Sequence, residues 1–87
     1  MAYEIQILKT AKREIAELAV PLRKRVGTAI DGLATEPRPH GVESIAGMTD
    51  YYRVRVGDYR IVYEVQDAVL IVTVTRVRHR REVYRNL

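Results

Sequence analysis

Tyr51-Tyr52-Arg53-Val54-Arg55-Val56-Gly57-Asp58-Tyr59-Arg60-Ile61-Val62-Tyr63-Glu64-Val65 is the stretch that decides the fold. Apolar and polar residues alternate with a period of two on either side of Gly57-Asp58. Tyr52, Val54 and Val56 fall on one face and Tyr51, Arg53 and Arg55 on the other. Tyr59, Ile61, Tyr63 and Val65 then alternate against Arg60, Val62 and Glu64. Two half-buried strands joined by a tight turn follow from that pattern. Gln66-Asp67 turns the chain again. The β-branched run Val69 to Thr75 predicts an inner strand covered on both faces for part of its length.

Upstream, Tyr3, Ile5 and Ile7 alternate with Glu4 and Gln6, which predicts a first strand. Thr10 can cap the helix that follows, whose apolar positions Ala11, Ile15, Leu18, Ala19 and Leu22 share one face. Pro21 disfavours unbroken continuation but suits the first turn of a new helix. Leu22, Val26, Ala29, Ile30 and Leu33 give that second helix its own stripe, and Gly32, Pro37 and Pro39 end it. Residues 35–50 read as loop. The expected fold is α+β, a single domain over residues 1–87. It has two layers, a helical hairpin packed on a four-stranded, mainly antiparallel sheet in the order β-α-α-β-β-β. The helices cover one sheet face. Alternation sends Arg53, Arg55 and Arg60 to the other.

Composition narrows the function. The 87 residues carry a net charge of +4 and no cysteine. Disulfides, thiolate nucleophiles and cysteine-ligated metals are thereby excluded, and a reducing compartment is suited. With two histidines and no motif of paired acids, neither a metal site nor a cofactor is expected. The longest apolar run, Ala68 to Val72, is too short to span a bilayer, so no membrane partner is expected and a cytoplasmic location is. Residues 1–50 hold seven Lys or Arg and seven Asp or Glu, which cancel. The positive excess therefore lies in residues 51–87, with arginines at 53, 55, 60, 76, 78, 80, 81 and 85 against Asp58, Glu64, Asp67 and Glu82. Such a field attracts a phosphate backbone or an acidic protein, and the guanidinium fork suits either anion.

The segment Gly47 to Val65, with its Tyr51-Tyr52-Arg53-Val54-Arg55 and Tyr59-Arg60 elements, resembles the central signature of the RelE/ParE toxin superfamily. The tail Val77-Arg78-His79-Arg80-Arg81-Glu82-Val83-Tyr84 resembles the segment that closes RelE-type domains. The resemblance covers essentially the whole chain. It implies the toxin of a type II toxin-antitoxin system, a ribosome-dependent endoribonuclease that cleaves messenger RNA in the 30S A site and is neutralised by a cognate antitoxin. It also implies site residues. Arg53 and Arg55 correspond to two basic positions of the family's second strand and Arg60 to the arginine of its "YR" pair. Arg80 corresponds to the arginine after the last strand, with Arg81 as its alternative, and Tyr84 to the terminal tyrosine.

The implied chemistry is physically coherent. Attack of an RNA 2′-hydroxyl on its own phosphate needs a base, charge stabilisation and a leaving-group acid. Arginine suits the second role and, with a pKa above about 12, not the first. Tyr84 is the candidate base, since neighbouring guanidinium groups lower a phenol pKa from about 10. His79 is the rival, as acid or as RNA contact, and Arg76, Arg78 and Arg85 read as general RNA or ribosome contacts. A weak base among many cations also suggests that the ribosome orients the RNA. Roles without chemistry fit the same residues. Arg53 and Arg55 could be a solvated strand face, Arg60 could be ion-paired with Glu64 or a helix acid, and Tyr51 could stack a base or cover core. Tyr52, Tyr59 and Tyr63 read as core. Two other functions share the fold: a ParE-like inhibitor of DNA gyrase without ribonuclease activity, and a non-catalytic basic binding module.

Overall fold

In the computed structural model, which describes residues 2–83 and the side chains of residues 2–81, the alternating stretch is two paired strands. In chain order the elements are β1 (Glu4–Ile7), α1 (Lys9–Ala16), α2 (Val20–Gly32) and β2 (Glu43–Ser44). There follow β3 (Tyr51–Val56), β4 (Tyr59–Gln66), β5 (Ile71–His79) and the short α3 (Arg80–Val83). They form one sheet in the order β1-β5-β4-β3-β2, with β1 parallel to β5 and the remaining pairs antiparallel. The two-layer α+β architecture is as expected, with five strands where the sequence suggested four.

The additional strand is β2, inside the stretch read as loop. Two residues carry no periodic signal. What makes them a strand is pairing of Glu43 with Arg53 and Ser44 with Tyr52, reinforced by the Glu43 carboxylate 3.2 Å from Arg53 Nε. Two helix boundaries also differ. Thr10 lies inside α1, which begins after Leu8 without a side-chain cap, and Ala19 is the exposed residue that opens α2, with Pro21 in its first turn. β5 starts at Ile71, later than predicted, because Asp67 to Leu70 form the turn, with Leu70 at φ 56°.

The helices bury Ala11, Leu18, Val26, Ile30 and Leu33 against Ile61, Tyr63, Val65, Val72, Val74 and Val77. Tyr63 is fully enclosed and its hydroxyl donates to the Pro37 carbonyl at 2.8 Å. Between β3 and β4 the turn is only Gly57-Asp58, and Gly57 takes the positive φ of 59° that a two-residue hairpin needs. Arg38 closes the end of the sheet distant from that turn. Its guanidinium grips both Asp67 carboxylate oxygens at 3.1 and 2.7 Å and donates from Nε to the Tyr52 hydroxyl at 3.0 Å, while Tyr3 donates to Asp67 at 2.6 Å. No helix among the described residues is long and apolar enough to cross a membrane.

One irregularity sets up everything on the opposite face. Val62 pairs with Arg76 but Tyr63 pairs with Val74, so Thr75 is an extra residue, its hydroxyl turned onto the Val62 carbonyl at 3.1 Å. Strict alternation from the buried Val72 and Val74 would send residues 76 and 78 under the helices. The bulge reverses the phase: Val77 is buried opposite Ile61, and Arg76 and Arg78 emerge on the open face.

Candidate functional site

On the open face the registers of β3, β4 and β5 line up two cross-strand rows. Arg55, Arg60 and Arg78 form the first, and Arg53, Val62 and Arg76 the second. Directly opposed side chains in an antiparallel pair have Cβ atoms about 4.5–5.5 Å apart, so each row brings its guanidinium groups into one field. Like charges placed opposite each other destabilise a sheet, which makes a row of three arginines a cost without an anion to bind.

Arg60, at the centre, is only 8% exposed, and among the described residues its Nε is buried without a hydrogen-bond partner. Its Nη1 donates at 3.4 Å to the Tyr59 carbonyl. Among the described residues it makes no ion pair with Glu64 or with a helix acid, the alternative that its place in the sequence allowed. Arg60 also lines a pocket of about 370 Å³ with Arg55, Glu43 and Gly41. Beside it, Val62, Ile45 and Tyr51 form a small apolar cluster separate from the main core.

Three of the arginines are ordered by acids. Arg53 meets Glu43. Arg76 meets Glu14 of α1 at 2.8 Å, and the same carboxylate lies 3.7 Å from Arg78 Nε. Glu43 and Glu14 carry no motif that sequence reading could have used, because each is defined by a contact across 10 or 62 residues.

The remaining predicted residues fall elsewhere. His79 pairs with Tyr59, on the face that the helices cover, and the two rings meet edge to face at 5.5 Å. It lines a second pocket with Leu18, Val77 and Glu17, which Arg78 and Glu14 border as well. Arg80 opens α3, exposed, its backbone N–H bonded to the Asp58 carbonyl at 2.8 Å, and Arg81 follows, also exposed. Both therefore stand at the end of the sheet beside the Gly57-Asp58 turn and outside the strand rows. Tyr84 and Arg85 lie outside the described residues. The structure thus brings Arg53, Arg55, Arg60 and Arg78 together. It puts Arg78, and not Arg80, directly across from Arg60. Arg55 and Arg60 at one pocket, with Arg53 and Arg78 at neighbouring register positions, can grip a phosphodiester and hold the additional negative charge that develops during its cleavage.

Comparison with known proteins agrees with this fold. Residues 5–84 match the family model described as the ParE toxin of the type II toxin-antitoxin system, parDE. Toxin RelG of Mycobacterium tuberculosis is 30% identical over 86 residues, spanning 98% of this chain and 99% of RelG. The archaeal RelE–RelB complex from Pyrococcus horikoshii superposes with a TM-score of 0.82 at 28% identity, covering 92% of this chain and 97% of the matched one. The intact E. coli RelBE toxin-antitoxin complex gives 0.77 at 27% identity, covering 87% and 94% respectively.

Proposed function

This chain belongs to the RelE/ParE toxin family of type II toxin-antitoxin systems, and from that premise we propose that it is a metal-independent endoribonuclease that cuts messenger RNA in the ribosomal A site and so blocks translation. The observation that carries the reading is Arg60, buried between Arg55 and Arg78 with an unpartnered Nε among the described residues. Such a group destabilises a fold unless a ligand uses it.

In this mechanism Arg60 and Arg78 bind the scissile phosphate and stabilise the charge of the transition state. Arg53 and Arg55 hold the flanking backbone from β3, and Arg80 and Arg81 contact RNA from the rim. Tyr84 takes the proton of the attacking 2′-hydroxyl. His79, edge to face with Tyr59 at the sheet's end, contacts RNA, and either it or Arg80 gives the departing 5′-oxygen its proton as the 2′-oxygen takes its place on phosphorus. The enzyme acts in the cytoplasm, where its substrate is, and a cognate antitoxin neutralises it. Support for that partner comes from the similar toxins from P. horikoshii and E. coli, whose structures are complexes with RelB or within RelBE.

A translation extract supplied with purified protein tests the reading. The wild type cleaves ribosome-bound messenger, whereas Arg60→Ala and Tyr84→Ala do not while keeping the wild-type circular dichroism spectrum. Full cleavage by both variants refutes the assignment. The matched model's ParE description favours one second reading, inhibition of DNA gyrase. Loss of supercoiling activity without any RNA cleavage would establish it instead.

A further inference from the structure

β1 stops pairing with β5 at Val74, where the Leu8 N–H takes the Val74 carbonyl at 2.9 Å. From Thr75 onward no strand among the described residues pairs with the outer edge of β5, and this is the bulged segment that carries Arg76 and Arg78. A side chain takes the missing strand's place. One oxygen of Glu14 accepts the Val77 N–H at 2.8 Å, as a strand carbonyl would. The other accepts Arg76 Nη2 at 2.8 Å and Nε at 3.2 Å, and stands 3.7 Å from Arg78 Nε. The carboxylate is largely enclosed, its side chain 17% exposed, so its cost of desolvation is met by an N–H and two cations in one place.

We propose that Glu14 is a positioning residue of the arginine site: by pinning the bulged edge of β5 it holds Arg78 opposite Arg60, where both address the same phosphate. This rests on the endoribonuclease reading for its consequence, but not for its geometry. Glu14 touches no substrate; it acts through Arg76, Arg78 and the backbone between them. A displacement of about 1 Å in a positioned group can cost on the order of a hundredfold in rate. The same carboxylate also cancels one positive charge of the basic field. Its removal therefore pushes turnover and RNA affinity in opposite directions, whereas a merely structural role would lower both.

The test is Glu14→Gln, which keeps the shape and an acceptor for Val77 and loses the charge. Single-turnover cleavage on ribosomes is expected to fall by roughly ten- to a hundredfold, while affinity for a 2′-deoxy-blocked single-stranded RNA is at least that of the wild type. Side-chain nitrogen NMR supplies a readout independent of cleavage, in which Arg76 and Arg78 Nε–H exchange faster in the variant and the Val77 amide stays protected. Glu14→Asp, retaining the charge on a shorter stem, recovers part of the rate and of the arginine protection, and stands in if Glu14→Gln does not fold. Unchanged arginine exchange, or wild-type cleavage by Glu14→Gln, overturns the proposal. A wild type that binds RNA without cutting it refutes the endoribonuclease reading instead, and the NMR result still decides whether Glu14 positions Arg78.

Discussion

Replacing Arg60 by methionine should stabilise this protein and abolish its activity. Arg60 is 8% exposed, and among the described residues its Nε has no partner. A buried polar group left in that state costs about 1–3 kcal/mol. Arg55 and Arg78 stand directly across the strands on either side, adding roughly 0.2–1 kcal/mol of like-charge repulsion each. Against these, the substitution gives up a long bond, 3.4 Å from Nη1 to the Tyr59 carbonyl. The unbranched methionine preserves most of the packing of the arginine stem. A net gain of about 1–2 kcal/mol is expected, and at about 4–8 °C per kcal/mol for a domain of this size the melting temperature rises by at least about 4 °C. Calorimetry and urea unfolding read the stability, and a translation-extract assay reads the cleavage, which is lost. Destabilisation by more than about 1 kcal/mol would refute the reasoning, because it would mean that the native fold itself uses the guanidinium.

Other substitutions separate binding from folding. Arg55→Ala, at an exposed position lining the 370 Å³ pocket, should leave stability within about 0.5 kcal/mol and lower the salt dependence of single-stranded RNA binding by about 0.7 in log–log slope, as loss of one phosphate contact does. Tyr63→Phe removes the buried hydroxyl that donates to Pro37 at 2.8 Å and should cost roughly 1–2 kcal/mol in urea unfolding. Asp67 is held at about 2 by the Arg38 guanidinium first and the Tyr3 hydroxyl second, below the ordinary 3.8. Since the folded value is the lower one, that stabilisation is complete above the unfolded value and disappears as pH falls through about 2. Melting curves from pH 5 to 2 should therefore show the wild type losing its advantage over Asp67→Asn in that window, and a constant gap would contradict the pairing.

The hairpin was legible because alternation is a backbone property: Tyr52, Val54 and Val56 had to share a face, which sent Arg53 and Arg55 to the other. The helical stripes were legible for the same reason. β2 was not, since two residues have no period and Glu43–Ser44 is a strand only because Arg53 and Tyr52 are there to pair with. Nor was the place of Arg78. A bulge at Thr75 depends on pairing with β4, and only after it reverses the phase does Arg78 stand opposite Arg60. Sequence reading followed the family's tail to Arg80 and could not see that the strand runs on to His79 before α3 begins. The Glu14 contacts are equally hidden, because a glutamate on an amphipathic helix reads as solvated surface until the end of β1 leaves the β5 edge open.

Mapping messenger RNA 5′ ends on ribosomes after induced expression tests the central claim most directly, with Arg60→Met and Tyr84→Phe induced in parallel. The wild type should produce new ends at ribosomal A-site codons that both variants fail to produce, although Arg60→Met accumulates as folded protein. Growth arrest by the wild type with no new ends, or the same ends from Arg60→Met, would contradict it.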